Sequence, residues 1–126
     1  MKKIRIFGLS VVLLMMLVGV SMWAAGKSAP VTGYVIDSSC TFSKDLKKPI
    51  SPDCAVACAK AGSPLVIQAD NGAIYLPISG TLPAGGQNEK LMPFAGKRVT
   101  VTGTVYDKGG SHAIVIDKKI EGVSKP

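Results

Sequence analysis

Alternating or continuously apolar stretches of five to eight residues are the main pattern of the chain beyond residue 30. The clearest covers residues 99–106, where three valines and a glycine alternate with three threonines and a tyrosine. Such alternation predicts a β-strand with one buried face and one solvated face. Four further strands are predicted at residues 31–37, 65–69, 73–78 and 112–117.

The segments between these strands have the residues of tight turns. Asp70-Asn71-Gly72 joins the second and third strands, and Asn-Gly is a strong hairpin signal because both residues take positive φ easily. Lys108-Gly109-Gly110-Ser111 joins the last two strands. Five short strands in about 90 residues predict a mainly β fold, a small closed or partly closed barrel that hides its strand edges.

One short helix is predicted between the first and second strands. Ser51 is a good N-cap, Pro52 suits the first helical position, and Gly62 ends the helix. The helix face expected to pack against the sheet carries Cys54, Cys58 and Ala61.

A long connection over residues 79–96 is predicted to contain a short helix near residues 88–92. Connections of this length often form lids or partner surfaces. We favour another role for Met92 and Phe94, in which they plug one end of the barrel.

The first 26 residues have the layout of a secretory signal peptide. Lys2, Lys3 and Arg5 precede an apolar stretch over residues 6–23, and Ala24-Ala25-Gly26 is a suitable cleavage site. We therefore expect residues 1–26 to be a signal peptide and residues 27–126 to form one domain. The protein would then be periplasmic or secreted. The alternative is an uncleaved anchor in the inner membrane, the only membrane contact that we expect.

The net charge narrows the choice of partners. Without Lys2, Lys3 and Arg5 the formal charge of +7 becomes +4, and three of the remaining lysines fall within residues 44–48. We interpret that segment as a solvated loop. Nucleic acid is not an expected partner, because the chain is exported and has too few aromatic residues for a base-stacking platform.

The three cysteines carry the candidate chemistry, and their odd number leaves at least one of them unpaired within the chain. Cys54 and Cys58 lie one helical turn apart, with Cβ atoms about 5–6 Å apart, too far for a disulfide. Cys40, expected at the end of the first strand, is the natural partner. We favour a Cys40–Cys58 disulfide, which would contribute about 3 kcal/mol. Cys54 is then the reactive or ligating thiol, because the helix N-terminus favours a thiolate there.

The chain resembles a family of small exported bacterial domains of unassigned function. The resemblance rests on VTGYVIDSSC, CAVACAKAGSPLVI, NGAIY, LMPFAGKRVTVTGTVYDKGG and AIVIDKKIEGV, and so on a D-x-x-C, C-A-x-x-C and G-K-x-V-x-V-x-G pattern. It implies a five-stranded OB-like barrel with one short helix inserted after the first strand. Family members often have a histidine three residues before the first helical cysteine, which implies a Cys/His metal site. Here that position is Ser51, which leaves a thiol-only site or a plain disulfide.

Three functions are consistent with these observations. The preferred one is a disulfide-stapled binding or interaction module without catalysis, which binds a ligand or a partner protein, such as another envelope protein, through its loops. The second is a soft-metal protein that binds Cu(I) or Zn(II) through Cys40, Cys54 and Cys58, with His112 as a candidate fourth ligand. The third is a thiol–disulfide exchange protein, although the usual C-x-x-C spacing is absent. No enzyme or cofactor motif favours catalysis, so we expect none.

Overall fold

A computed structural model describes residues 26–123, and the predicted signal peptide lies outside this part of the chain except for Gly26. The first strand, β1 (Lys27–Asp37), is followed by two helices, α1 (Ser38–Ser43) and α2 (Pro52–Lys60). Next come β2 (Leu65–Ala69), β3 (Ile74–Pro77), α3 (Asn88–Leu91) and a 3₁₀ helix (Met92–Phe94). The chain continues through β4 (Arg98–Lys108), β5 (Ser111–Ile116) and β6 (Glu121–Gly122).

The first five strands form a closed barrel. They lie in the order β1-β2-β3-β5-β4, and pairing between β1 and β4 closes the ring. Neighbours are antiparallel except β3 and β5, which are parallel, and β6 adds a short pairing to β4. The predicted mainly β fold, a five-stranded OB-like barrel with a short helix after the first strand, is confirmed.

The strand β1 is long because it pairs with two neighbours. Its first part runs along β4, where Lys27 pairs with Val105, and its last part runs along β2, where Asp37 pairs with Leu65. The two ladders overlap at Gly33 and Tyr34. The missing side chain of Gly33 lets the Gln68 backbone approach closely. The observed strand therefore begins four residues before the predicted one.

The core is filled by the inward faces of these strands. Val99 and Val101 are fully buried, as the alternation in β4 predicts, and they pack with Val35, Ile67 and Ile114. This continuous apolar interior is the main source of the barrel's stability, since burial of each such side chain contributes about 1.5–3 kcal/mol.

The predicted helix is confirmed as α2, but its buried face is different. The Ser51 side chain accepts a hydrogen bond from the Cys54 amide at 3.1 Å, and Gly62 has a φ of 100° just after the helix. The face that packs on the core is centred on Ala55 and Ala59, rather than on Cys54, Cys58 and Ala61. The two cysteines flank that face and are half-buried, and Ala61 is exposed.

A second helix, α1, was not predicted, and it changes the position of Cys40. We expected Cys40 at the end of the first strand, but it lies in the first turn of α1. Asp37 causes the difference, because its carboxylate accepts a hydrogen bond from the Cys40 amide at 2.9 Å and caps the new helix.

The predicted short helix near residues 88–92 is confirmed as α3, and this region packs against the barrel core. Met92 and Phe94 are partly buried against the core, as predicted, while the fully buried residue is their neighbour Leu91. The Asn88 side chain anchors the segment, since it accepts from the Leu65 amide and donates to the Ser63 carbonyl, both at 2.9 Å.

Candidate thiol site

The three cysteines lie in the two helices between β1 and β2. Cys40 belongs to α1, Cys54 and Cys58 belong to consecutive turns of α2, and all three are half-buried, free thiols. The predicted Cys40–Cys58 disulfide is therefore not formed in this structure, and it stays a prediction.

The carboxylate of Asp37 connects the two helices that carry the thiols. Its two oxygens accept hydrogen bonds from the Cys40 amide and from the Ser63 hydroxyl. The Ser63 amide in turn donates to the Cys58 carbonyl at 3.0 Å. A single buried side chain thus fixes the start of α1 against the end of α2.

Burial and neighbouring charges both raise the pKa of two of the three thiols. Partial burial raises the pKa of the Cys40 thiol, and the hydrogen bond to Asp37 and that residue's negative charge raise it further. Partial burial also raises the pKa of Cys58, followed by the charge of Asp37 and the neighbouring Cys54 thiol. Cys40 is within electrostatic reach of both α2 thiols. In the absence of a cation, both groups therefore hold their protons near neutral pH.

Asp37 has an unusual environment for a carboxylate. Only 1% of the residue is exposed. Within residues 26–123 the side-chain ion pairs are Arg98–Asp70 and His112–Asp107, and Asp37 belongs to neither. Asp37 is thus a buried carboxylate in contact with the Cys40 turn, with no cationic side chain paired to it within residues 26–123. A bound cation would compensate its charge.

His112, the candidate fourth ligand, has partners of its own. Its Nδ1 atom pairs with the Asp107 carboxylate across the β4–β5 hairpin, and its ring lies 5.1 Å from the Tyr75 ring. The charges that act on the Cys40 and Cys58 thiols come from Asp37 and the cysteines. In the part of the chain that the structure describes, no three or more His, Cys, Asp or Glu side chains stand in a ready-made metal arrangement. The metal prediction remains untested by this geometry.

The connection between α1 and α2 has both exposed apolar and charged residues. Phe42, near the end of α1, and Ile50, at the far end of the connection, are 65% and 75% exposed. The lysines between them are also largely at the surface, as expected for a solvated loop. No helix within residues 26–123 is long and apolar enough to cross a membrane.

Sequence reasoning identified the thiols but missed Asp37. The signal was present as Asp-Ser-Ser-Cys, in which an Asp precedes a helical turn as an N-cap. It was overlooked because the six-residue helix α1 is too short to show a 3.6-residue periodicity.

Comparisons with known proteins add no relative: no protein-family model matches the chain, and searches of the curated proteins and of the solved structures found no match. The family resemblance noted from the sequence therefore stays a prediction, and the function has to be argued from the thiol site itself.

Proposed function

We propose that this protein is an exported β-barrel binding module whose ligand is a soft metal ion, held by Cys40, Cys54 and Cys58. The observation that carries the proposal is that three free, half-buried thiols lie on two helices that the buried Asp37 joins, through the Cys40 amide and through Ser63. Thiolates are soft ligands that select Cu(I) or Zn(II) over harder cations. Export is supported by the charged and apolar pattern of residues 1–26.

Metal binding at this site requires the thiols to lose protons and turn toward a common point. A cation replaces the protons that Cys40 and Cys58 retain, so binding releases protons. Rotation about a Cα–Cβ bond moves a sulfur atom between staggered positions while the backbone stays in place. The capped helices α1 and α2 then act as fixed supports for ligands that move only at their side chains.

A second candidate function is the disulfide-stapled interaction module. It is favoured by the link from the Cys40 amide through Asp37 and Ser63 to the Cys58 carbonyl, which joins the two helices that carry these thiols. The two thiols would then pair in an oxidising compartment. Cys54 would remain a free, half-buried thiol. The exposed connection between α1 and α2, with Phe42 and Ile50, would then meet another envelope protein.

Counting thiols in protein recovered from the periplasm without reductant separates the two functions. We expect alkylation of all three thiols only after a strong chelator is added, together with one equivalent of Cu or Zn by elemental analysis. One alkylatable thiol before reduction, three after it and no metal would contradict the metal proposal and support the stapled module. Catalysed reduction of a test disulfide that is lost in Cys54→Ser would instead support thiol–disulfide exchange.

A further inference from the structure

The outer side of β3, β5 and β4 exposes large apolar side chains that are neighbours. Leu76 pairs in register with Ala113, and Ala113 pairs with Tyr106, so these three side chains form one row across three strands. Leu76 is 47% exposed and Tyr106 is 42% exposed. Contiguous exposed apolar side chains mark interaction surfaces, whereas isolated ones need no explanation.

A second row extends this surface along the strands. Val115 pairs with Thr104, and both lie on the side of the first row, because side chains two residues apart in a strand share a face. Ile78 continues β3 on that side, since its amide donates to the Ile114 carbonyl at 2.9 Å. We call the apolar side chains of the two rows the outer apolar face: they are Leu76, Ile78, Tyr106, Ala113 and Val115.

Opposite charges stand at the two ends of the outer apolar face. Lys108, the last residue of β4, is exposed and shares the side of Tyr106 by alternation. Asp117, just after β5 at the other end, is exposed and accepts a hydrogen bond from the Thr104 hydroxyl at 3.2 Å. Within residues 26–123 neither belongs to a side-chain ion pair. The face is therefore apolar in its middle, positive at one end and negative at the other.

This arrangement is complementary to itself. When two copies place their outer apolar faces together with the strands antiparallel, a two-fold axis runs across the strands between the two rows. Lys108 of each copy then lies near Asp117 of the other, and the row of Tyr106 covers the row of Val115. A two-fold interface uses the same patch on both subunits, so one pair of opposite charges gives two contacts.

We propose that the outer apolar face is the contact surface between two copies of this protein, which form a symmetric dimer. The proposal is independent of the thiol site, which belongs to α1 and α2. Two rows on three strands make a small interface, below the about 1,200 Å² of total buried area that separates weak contacts from standard ones. We therefore expect a dimer that dissociates on dilution.

The test measures self-association by sedimentation equilibrium of the protein recovered from the periplasm. Reductant is present, so that the free thiols form no disulfide between copies. The wild type should pass from monomer to dimer as its concentration rises. Lys108→Glu and Asp117→Lys should each weaken the dimer by about tenfold or more, because each brings like charges together twice across the interface.

Two control variants make the same changes of net charge elsewhere. Lys47→Glu alters an exposed lysine in the connection between α1 and α2, and Asp53→Lys alters an exposed carboxylate in the first turn of α2. Both should leave the dimer as strong as in the wild type. An equal loss in the controls would overturn the proposal, because net charge rather than this face would then govern association.

An equimolar mixture of Lys108→Glu and Asp117→Lys tests the geometry itself. The first variant retains Asp117 and the second retains Lys108, so a mixed dimer regains both contacts between opposite charges. The mixture should associate about as tightly as the wild type, although each variant alone does not. A wild type that stays monomeric at every concentration would overturn the proposal. A mixture that associates no better than its separate components would also overturn it, because any dimer would then use another surface.

Cross-linking in the intact envelope identifies what covers the face there. Replacement of Tyr106 by the photo-reactive benzoylphenylalanine keeps an aromatic side chain in the middle of the face. Irradiation should give a product with twice the mass of the chain. Cross-links to phospholipid or to a different protein in place of that product would contradict the dimer, because another partner would then occupy the surface.

Discussion

At the scale of single residues, the carboxylates of Asp37 and Asp70 have opposite environments. Asp37 is buried and receives only neutral hydrogen bonds, whereas Asp70 is half-exposed and pairs with the Arg98 guanidinium. The Asp70–Arg98 pair joins the turn between β2 and β3 to the first residue of β4. Asp70, which has a cationic partner, thus links two parts of the sheet. Asp37, which has no such partner among the described side chains, lies at the thiol site.

The Asp70–Arg98 pair predicts a pH-dependent part of the stability. The hydrogen bond from Arg98 is the main reason that the pKa of Asp70 is lowered in the folded protein. A lowered folded-state pKa means that the unfolded chain binds more protons, so the contribution is present above the ordinary aspartate pKa of about 3.9 and is lost as pH falls through the folded-state value.

We therefore expect Asp70→Asn to lower the urea midpoint near neutral pH and to match the wild type in acid. High salt should shrink the neutral-pH difference, because both partners are partly exposed and such pairs are screened. A difference that persists unchanged in acid would show that Asp70 acts through packing or turn geometry.

At the scale of secondary-structure elements, α3 and the 3₁₀ helix after it hold the barrel core in place. Asn88 fastens α3 to the backbone that enters β2, and Leu91 is buried in the core at 0% exposure. The same connection reaches Gly96, whose φ of 80° and lack of a side chain let the backbone of Pro52 lie against it. The segment from α3 to Gly96 therefore also supports the start of α2, and with it the thiol site.

Truncation of the Leu91 side chain measures how much the packing of α3 stabilises the barrel. Leu91→Ala should lower the free energy of unfolding by about 2–5 kcal/mol, because it removes a fully buried side chain and leaves a cavity. Leu82→Ala is the matched control in the same connection, since Leu82 is 95% exposed, and it should stay within about 0.5 kcal/mol of the wild type. If urea denaturation gives equal changes in the free energy of unfolding for the two substitutions, the packing of α3 does not stabilise the barrel.

The strands show how far local patterns predict elements. The alternation in residues 99–106 and the Asn-Gly turn depend on neighbouring residues alone, and both gave elements that the structure contains. The extension of β1 back to Lys27 could not be predicted in this way, because it depends on pairing with Val105, far along the chain.

At the scale of the whole molecule, the barrel acts as a scaffold for the two helices inserted between β1 and β2. Pairing with β2 fixes the end of β1, where Asp37 begins α1, and the start of β2 at Leu65 fixes the point where the chain returns from α2. Cys40 and Cys58 thereby lie on two helices that Asp37 and Ser63 join by hydrogen bonds.

The candidate site could be predicted only in outline from the sequence. The spacing of Cys54 and Cys58 on a capped helix was readable, because helix capping is local. The role of Asp37 was not, since its burial depends on Ser63, 26 positions away, and on the turn of the chain into α1. The half-buried position of Cys54 and Cys58 beside the buried Ala55–Ala59 face likewise depends on how the helix docks.

The central claim is that the three thiols form one metal site, and native mass spectrometry of the protein recovered from the periplasm tests it most directly. We predict a single species that contains one Zn(II) or Cu(I) ion and lacks the protons that the metal displaces. It should return to the mass of the fully reduced chain when acid removes the metal. A metal-free species lighter than the reduced chain by two hydrogen atoms would contradict the claim, because two of the thiols would then be joined in a disulfide.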